Sequence, residues 1–209
     1  MTGGHAKFRH LSRKSSHKKA LLRNLVTSLF EHESINTTWH KAKEAQRLAD
    51  KLITMGKKNT EASRRKAGAI FYRPAELIPK LFGPLRERYA DRPGGYTRVL
   101  RVEPLKEDQA ASAILELVDS PKDIRFAMMA KVVARQRAEG LPETPITRAN
   151  LKKVVQFRGD KGKEEMEELV EKFDKLTAEG KEVKEVYQKK VYPDPLDPSK
   201  GKKGTPYRY

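Results

Sequence analysis

All five histidines fall in the first forty residues, at His5, His10, His17, His32 and His40, and three of them adjoin a lysine or arginine. Such pairs can cleave phosphodiesters by general acid–base chemistry, provided a rigid frame holds both imidazoles at the scissile bond. His5 and His10 lie in an opening segment that contains Gly3-Gly4 and no apolar period, so it supplies no frame. No His-Glu-x-x-His spacing occurs, and with no cysteine the chain has neither disulfides nor thiolate metal ligands. Each Gly-Lys pair (at Gly56, Gly162, Gly180 and Gly201) lacks the hydroxyl residue that completes a phosphate-cradling loop. The sequence thus predicts no catalytic residue, no metal, no cofactor and no small-molecule substrate.

The remaining chemistry is that of cations. The 209 residues carry 45 Lys and Arg against 28 Asp and Glu, a formal net charge of +17. A polyanion is the partner this balance implies, nucleic acid before an anionic membrane surface. No apolar run approaches the roughly 20 residues of a membrane span, so an integral membrane protein is not expected. The charge is uneven. Residues 1–30 hold Lys7, Arg9, Arg13, Lys14, Lys18, Lys19 and Arg23 and no acid, whereas residues 161–190 are near neutral.

Two amphipathic helices must position these cations. In residues 15–32, Leu21, Leu25 and Leu29 with Leu22, Val26 and Phe30 form one apolar stripe. Ser15 or Ser16 is the expected N-cap. A second helix is predicted over 39–55, with Ala42, Ala45, Leu48, Ala49, Leu52 and Ile53 on one side. Thr37 or Thr38 is its expected cap, and Gly56 with two lysines its stop. The β-prone residues 33–38 between them predict a short edge strand. Thr37, Thr38, Lys41 and Lys43 group at one helix N-terminus, with Arg47 a turn further on. Cations there are unfavourable on the helix dipole unless an anion is bound nearby.

This stretch also carries a resemblance. The runs Ser-Ser-His-Lys-Lys-Ala-Leu-Leu-Arg-Asn-Leu (15–25) and Ile-Asn-Thr-Thr-Trp-His-Lys-Ala-Lys-Glu-Ala-Gln-Arg (35–47) resemble the bacterial-type large-subunit ribosomal protein seventeen family. Arg92-Pro-Gly-Gly-Tyr-Thr-Arg98 and Glu116-Leu-Val-Asp119 are similar to its later motifs, in order. The likeness covers roughly residues 7–120. It implies a non-enzymatic constituent of the large subunit, bound to large-subunit rRNA and neighbouring ribosomal proteins near the polypeptide exit region. The RNA-binding candidates are then an arm (Lys7, Arg9, His10, Arg13, Lys14) and the first helix (Ser15, Ser16, His17, Lys18, Arg23, Asn24). Thr37, Thr38, Lys41, Lys43 and Arg47 join them from the second helix, and Arg64 and Arg65 from a third. Arg92, Gly94, Gly95, Tyr96, Thr97 and Arg98 complete the set, with Tyr96 and Trp39 also read as packing residues.

The expected fold class is α+β: helices on a small, mostly antiparallel three-stranded sheet, in the order α-β-α-α-α-β-β. A helix over 60–72 is capped by Thr60 and ended by Pro74. Residues 75–90 hold one or two short helices, interrupted by Pro79 and by Gly83-Pro84. Pro93-Gly94-Gly95 is a turn, and residues 96–102 and 111–118 form a hairpin that the strand at Ile35 can join. Its loop, residues 105–109, lacks the Gly-Asp turn of the family.

Three segments follow: an RNA-binding arm over 1–16 that orders on its partner, a core over 17–120, and a mainly helical extension over 121–209. Within the extension, helices are expected at 121–139, 147–157 and 163–179, the last stopped by Gly180, before a Pro/Lys/Gly-rich tail from 192. An 89-residue lysine-rich addition resembles those of mitochondrial ribosomal proteins, so the mitochondrial matrix is favoured over the bacterial cytoplasm. The acid-free start would also suit a transit peptide, but the same residues match the family's arm. The alternative class is a DNA-binding or nucleoid protein, for which the segment 22–30 is too apolar to serve as a recognition helix. A membrane-surface adaptor would need a more aromatic face than 147–157 offers.

Overall fold

The computed structural model describes residues 9–104, 107–159 and 161–189, with side chains described as far as residue 177. Lys7, Leu105 and Lys106 of the hairpin loop, and the tail beyond residue 189 lie outside the described residues. Helix α1 (Ser15–His32) buries Val26, Leu29 and Phe30 and ends at Glu33, whose left-handed backbone (φ 64°) returns an N–H to the Leu29 carbonyl. Its N-cap is Lys14, not a serine, and no side chain caps it. Strand β1 (Ser34–Thr38) leads directly into helix α2 (Trp39–Lys58). Thr38 stands at the N-cap of α2, yet its hydroxyl caps nothing, so neither expected threonine cap is made.

Gly56 does not stop α2. The helix continues to Lys58, with Asn59 in the left-handed position (φ 49°) as its cap. A Cβ on Gly56 would lie 3.0 Å from Leu81 Cδ1 and 3.2 Å from the Leu81 carbonyl oxygen. The glycine is there so that two helices can touch.

Helix α3 (Glu61–Ile70) is capped as expected, the Thr60 hydroxyl accepting the Ser63 N–H at 3.2 Å. The next stretch forms α4 (Pro74–Phe82) and α5 (Pro84–Arg88). Gly83-Pro84 makes the break, while Pro79 stays inside α4 at the loss of one backbone bond. The order is therefore α-β-α-α-α-α-β-β, one helix more than the pattern predicts, and the α+β class stands.

Strands β2 (Thr97–Val102) and β3 (Ser112–Leu117) pair antiparallel, and β1 adds to the other side of β3, giving the order β1-β3-β2. Ile35 and Val99 both lie opposite Leu115 in register. Alternation then turns Ala113, Leu115 and Leu117 toward α1 and α2, and all three are fully buried. Tyr89 closes this core from α5's end, its hydroxyl donating to the Val118 carbonyl at 2.6 Å. Burial pushes its phenol well above the ordinary tyrosine range.

The extension folds as α6 (Ile124–Ala138), α7 (Pro145–Val155) and α8 (Lys161–Lys189) around a second apolar cluster that includes Phe126, Met129, Val133, Val154, Met166 and Val170. Gly180 does not end α8; one glycine costs a helix only about 1 kcal/mol.

Guanidiniums and carboxylates join the two clusters. Arg98 Nη1 lies 2.7 Å from Glu116 Oε1 and 2.6 Å from Asp123 Oδ1. Arg92 reaches Asp119 at 2.8 Å. Arg158, from the turn before α8, donates to the Ser120 carbonyl (3.1 Å), pairs with Glu165 (2.9 Å) and lies 3.8 Å from the Phe126 ring centre. Asp123 also caps α6, accepting the Phe126 N–H at 3.1 Å. Burial alone would raise its carboxyl, but Arg98 and two backbone N–H groups outweigh this and hold it below the usual aspartate range. At Glu116 burial, with the neighbouring Asp123 carboxylate, prevails and pushes the carboxyl up despite the Ile124 N–H and Arg98.

Candidate nucleic-acid interface

The predicted cations converge where the root of the arm meets the starts of α1 and α2. Buried Glu44, on α2, is the anchor. It accepts the Arg9 backbone N–H at 3.1 Å and pairs with Arg9 Nη1 at 3.6 Å and Lys18 Nζ at 3.4 Å. Lys18 also donates to the Arg9 carbonyl. The next corner has Leu11 and Ser12 both in left-handed backbone (φ 57° and 52°), a conformation that costs non-glycine residues about 1 kcal/mol or more each. Arg13 holds it by donating Nη1 to the Leu11 carbonyl at 2.8 Å. Residues 9–14 thus lie against the core through Glu44 and Arg13, while residues 1–8 of the expected arm lie outside the described residues. The Arg13 Nε is covered from solvent and makes no hydrogen bond among the described residues.

Three depressions run together across this face. His10, Arg13, Thr38, His40 and Lys41 surround the first, with Arg9 at its edge. Arg9 also lines the second, with Trp39, Lys43, Gln46, Arg47 and Asp50. Arg47 leads into the third, between α1 and α2. Neither helix has an acidic residue in its first turn or a side-chain cap, so the N–H groups and the positive end of each dipole meet cations there. Such a surface is unfavourable alone and is relieved by an anion. Trp39 is half-buried, with Lys43 Nζ 4.9 Å and the Arg101 guanidinium 4.2 Å from its ring centre. Burial raises the Asp50 carboxyl, although the Thr97 hydroxyl donates to it at 2.8 Å.

Other candidates are placed differently. Lys14, Ser15, Ser16, His17 and Asn24 are exposed on α1 and its cap. Arg23 donates to the Ile70 carbonyl at 2.8 Å and sits 4.4 Å from the Tyr72 ring centre, bracing α1 against α3. Thr37 and Thr38 end β1 opposite Ala113 and Ser112, and of the two only Thr38 lines a depression. On α3, Arg64 bonds Asn59 at 2.9 Å and Arg65 pairs with Glu61 at 3.1 Å, and neither lines the three depressions.

The largest departure is the motif at 92–98. Arg92 and Arg98 turn onto the internal carboxylates, Thr97 is buried against Asp50, and Tyr96 packs edge-to-face with Tyr89 at 5.3 Å. Burial and nearby acids give these side chains structural work, and for Tyr96 packing is one of the two roles the sequence predicts. Pro93, Gly94 and Gly95 are the exposed residues of that motif, and Gly95 uses its freedom at φ 64°. Conversely, sequence reading missed Glu44. Its signal was available: it is the first acid of α2, inside a run of lysines, on the same side as Ala45 and Leu48.

The family model described as ribosomal protein L17 matches residues 21–118. The chain is 60% identical over 171 residues to the large ribosomal subunit protein bL17m of Neurospora crassa, covering 81% of this chain and 88% of that protein. It is 51% identical over 167 residues to bL17m of Schizosaccharomyces pombe, covering 79% and 80%. Against the bacterial bL17 of Myxococcus xanthus it is 47% identical over 114 residues, 54% of this chain and 81% of the other. The 171-residue match is longer than residues 1–120 can supply, so it reaches into the extension.

Proposed function

This chain belongs to the ribosomal protein L17 family, and from that membership we infer how its basic face is used. It is a structural constituent of the large subunit of the mitochondrial ribosome, not an enzyme. Its interface with large-subunit rRNA is the face built from the arm root and the starts of α1 and α2. The observation that carries this reading is the contiguity of the three cation-lined depressions around Glu44, beside two helix starts free of acid. Backbone phosphates suit such a face: the cations neutralise them, and unpaired helix N–H groups donate to their oxygens. The position near the polypeptide exit region, with ribosomal proteins or organelle-specific rRNA against the extension, belongs to the same reading. The apolar stripe of α1 cannot serve as a DNA-reading face, since Val26, Leu29 and Phe30 are buried in the core.

Sedimentation of organelle lysate through a high-salt gradient tests the assignment. The protein is expected to run with the large subunit and to leave that peak after ribonuclease. Deleting residues 1–16 is expected to impair subunit assembly while leaving the core folded. A truncated protein that assembles normally would overturn the arm's role, and a protein that stays in light fractions would overturn the placement.

A further inference from the structure

The third depression differs from the other two in having an apolar floor. Lys18, Lys19, Leu22 and Arg23 share one side of α1, and Glu44, Arg47, Leu48 and Lys51 share one side of α2, as spacings of three and four require. Between them lies a groove of about 330 Å³ floored by Leu22, Leu48 and the Ile70 end of α3. All three floor residues are only partly buried. The groove stays open because the chain leaves α3 after Ile70, where Arg23 holds the carbonyl, and turns away into α4. No fourth element covers the floor among the described residues.

Size and charge select the occupant. One turn of a helix with its side chains, a cylinder about 10–12 Å across and 5.4 Å high, fills roughly 400–600 Å³. That exceeds the groove, so a helix could enter it only by the side chains of one face, and it would match the cationic rim only if those side chains were acidic. The rim is cationic through Lys19, Arg47 and Lys51, while the one carboxylate, Glu44, is already paired with Arg9 and Lys18. Apolar floor and basic rim together match one nucleotide out of its stack: a base face on the aliphatic side chains, flanking phosphates on the rim. A paired base offers no free face.

We propose that the groove between α1 and α2 is a socket for a single unpaired nucleotide of the large-subunit rRNA. The proposal rests on the rRNA-binding reading above and gives that face a second mode of contact, insertion of a base beside neutralisation of phosphates. Leu22, Leu48 and Ile70 form its floor, and Lys19, Arg47 and Lys51 hold the strand across it.

Full-length protein carrying a diazirine-bearing lysine analogue at position 51 or, separately, at position 41 is assembled into organelle large subunits and irradiated. Position 51 is expected to crosslink to one unpaired nucleotide, and position 41 to rRNA elsewhere. In subunits carrying Leu48→Glu or, as a surface change that spares the core, Lys51→Glu, that nucleotide is expected to gain roughly tenfold in base reactivity toward dimethyl sulfate or a carbodiimide, the scale of one lost base contact. If position 41 finds rRNA while position 51 finds a peptide or a duplex segment, the socket is refuted and the rRNA reading stands. An unchanged base reactivity in both variants also refutes the socket. If both positions find only protein, both readings fail.

Discussion

Replacing Arg158 by Met should release the extension from the core without unfolding the core. The guanidinium is nearly buried, at 8% side-chain exposure, and it contacts both sides of the junction. Methionine retains an apolar stem for Phe126 and deletes the charge. The contact with Glu165 is worth under about 1 kcal/mol, because that carboxylate is 52% exposed. The charged hydrogen bond to the Ser120 carbonyl contributes about 1.5–3 kcal/mol. Asp119 and Asp123 lose contacts of 3.8 and 3.7 Å but keep Arg92 and Arg98. The loss therefore falls at the low end of the range for a broken buried pair, about 3 kcal/mol. That corresponds to a roughly 100-fold rise in the undocked population. Hydrogen exchange of the full chain reads this directly: amides of α7 and the first turns of α8 should exchange about 100-fold faster, with those of α1 and α2 unchanged. Arg158→Lys, which restores charge but not the forked geometry, should fall between. Equal acceleration in α1 and α7, or none in either, would refute a separable junction.

Four further outcomes follow from the same contacts. Glu44→Gln should loosen the arm root, so that trypsin cuts the free protein after Arg13 or Lys14 several-fold faster; an unchanged rate would show that Leu11 and Ser12 hold their turn without it. Gly56→Ala should lower stability by about 1–3 kcal/mol in a denaturant titration, since its methyl meets Leu81, whereas Gly94→Ala, with nothing within 4 Å, should be neutral. Tyr89→Phe should cost about 1–3 kcal/mol by leaving the Val118 carbonyl without its donor. Below about pH 4, stability should fall: Asp123 has a folded pKa below its unfolded value, so its contribution is complete above the unfolded pKa and is lost as pH drops through the folded one. Glu116 is shifted the other way, so the folded state takes up its proton first and gains stability as pH falls through its raised pKa. The Glu116→Gln variant should lose that gain while keeping the acid collapse, as read from urea midpoints across pH.

The helical periods, the Thr60 cap, the hairpin and the addition of Ile35's strand were legible because each depends on neighbours in sequence. The errors share the opposite property. Whether Lys14 or Ser15 caps α1 depends on where the backbone leaves the helix, which Glu44 decides by holding Arg9 from a distance of 35 residues. Gly56 read as a stop because its partner, Leu81, lies on another helix. Arg92 and Arg98 read as RNA ligands because their acids come later in the chain. Still, Glu116, Asp119 and Asp123 interrupt an apolar strand and its exit at spacings of three and four. Acids so placed need internal cations, and that was readable.

The inward-facing arginines have a consequence for ionic strength. Free RNA carries condensed counterions, and binding releases roughly 0.7 per neutralised phosphate on a single strand. A guanidinium already matched by the protein's own carboxylate displaces none. Arg88 on Glu33, with Arg92, Arg98 and Arg158 on their acids, therefore contribute nothing to the salt dependence of assembly, although all four count among the 45 cations. Among the described residues, the end of the molecule that holds the three cation-lined depressions is left to carry that dependence. Rising ionic strength should loosen that end from the RNA while the junction beneath the extension holds.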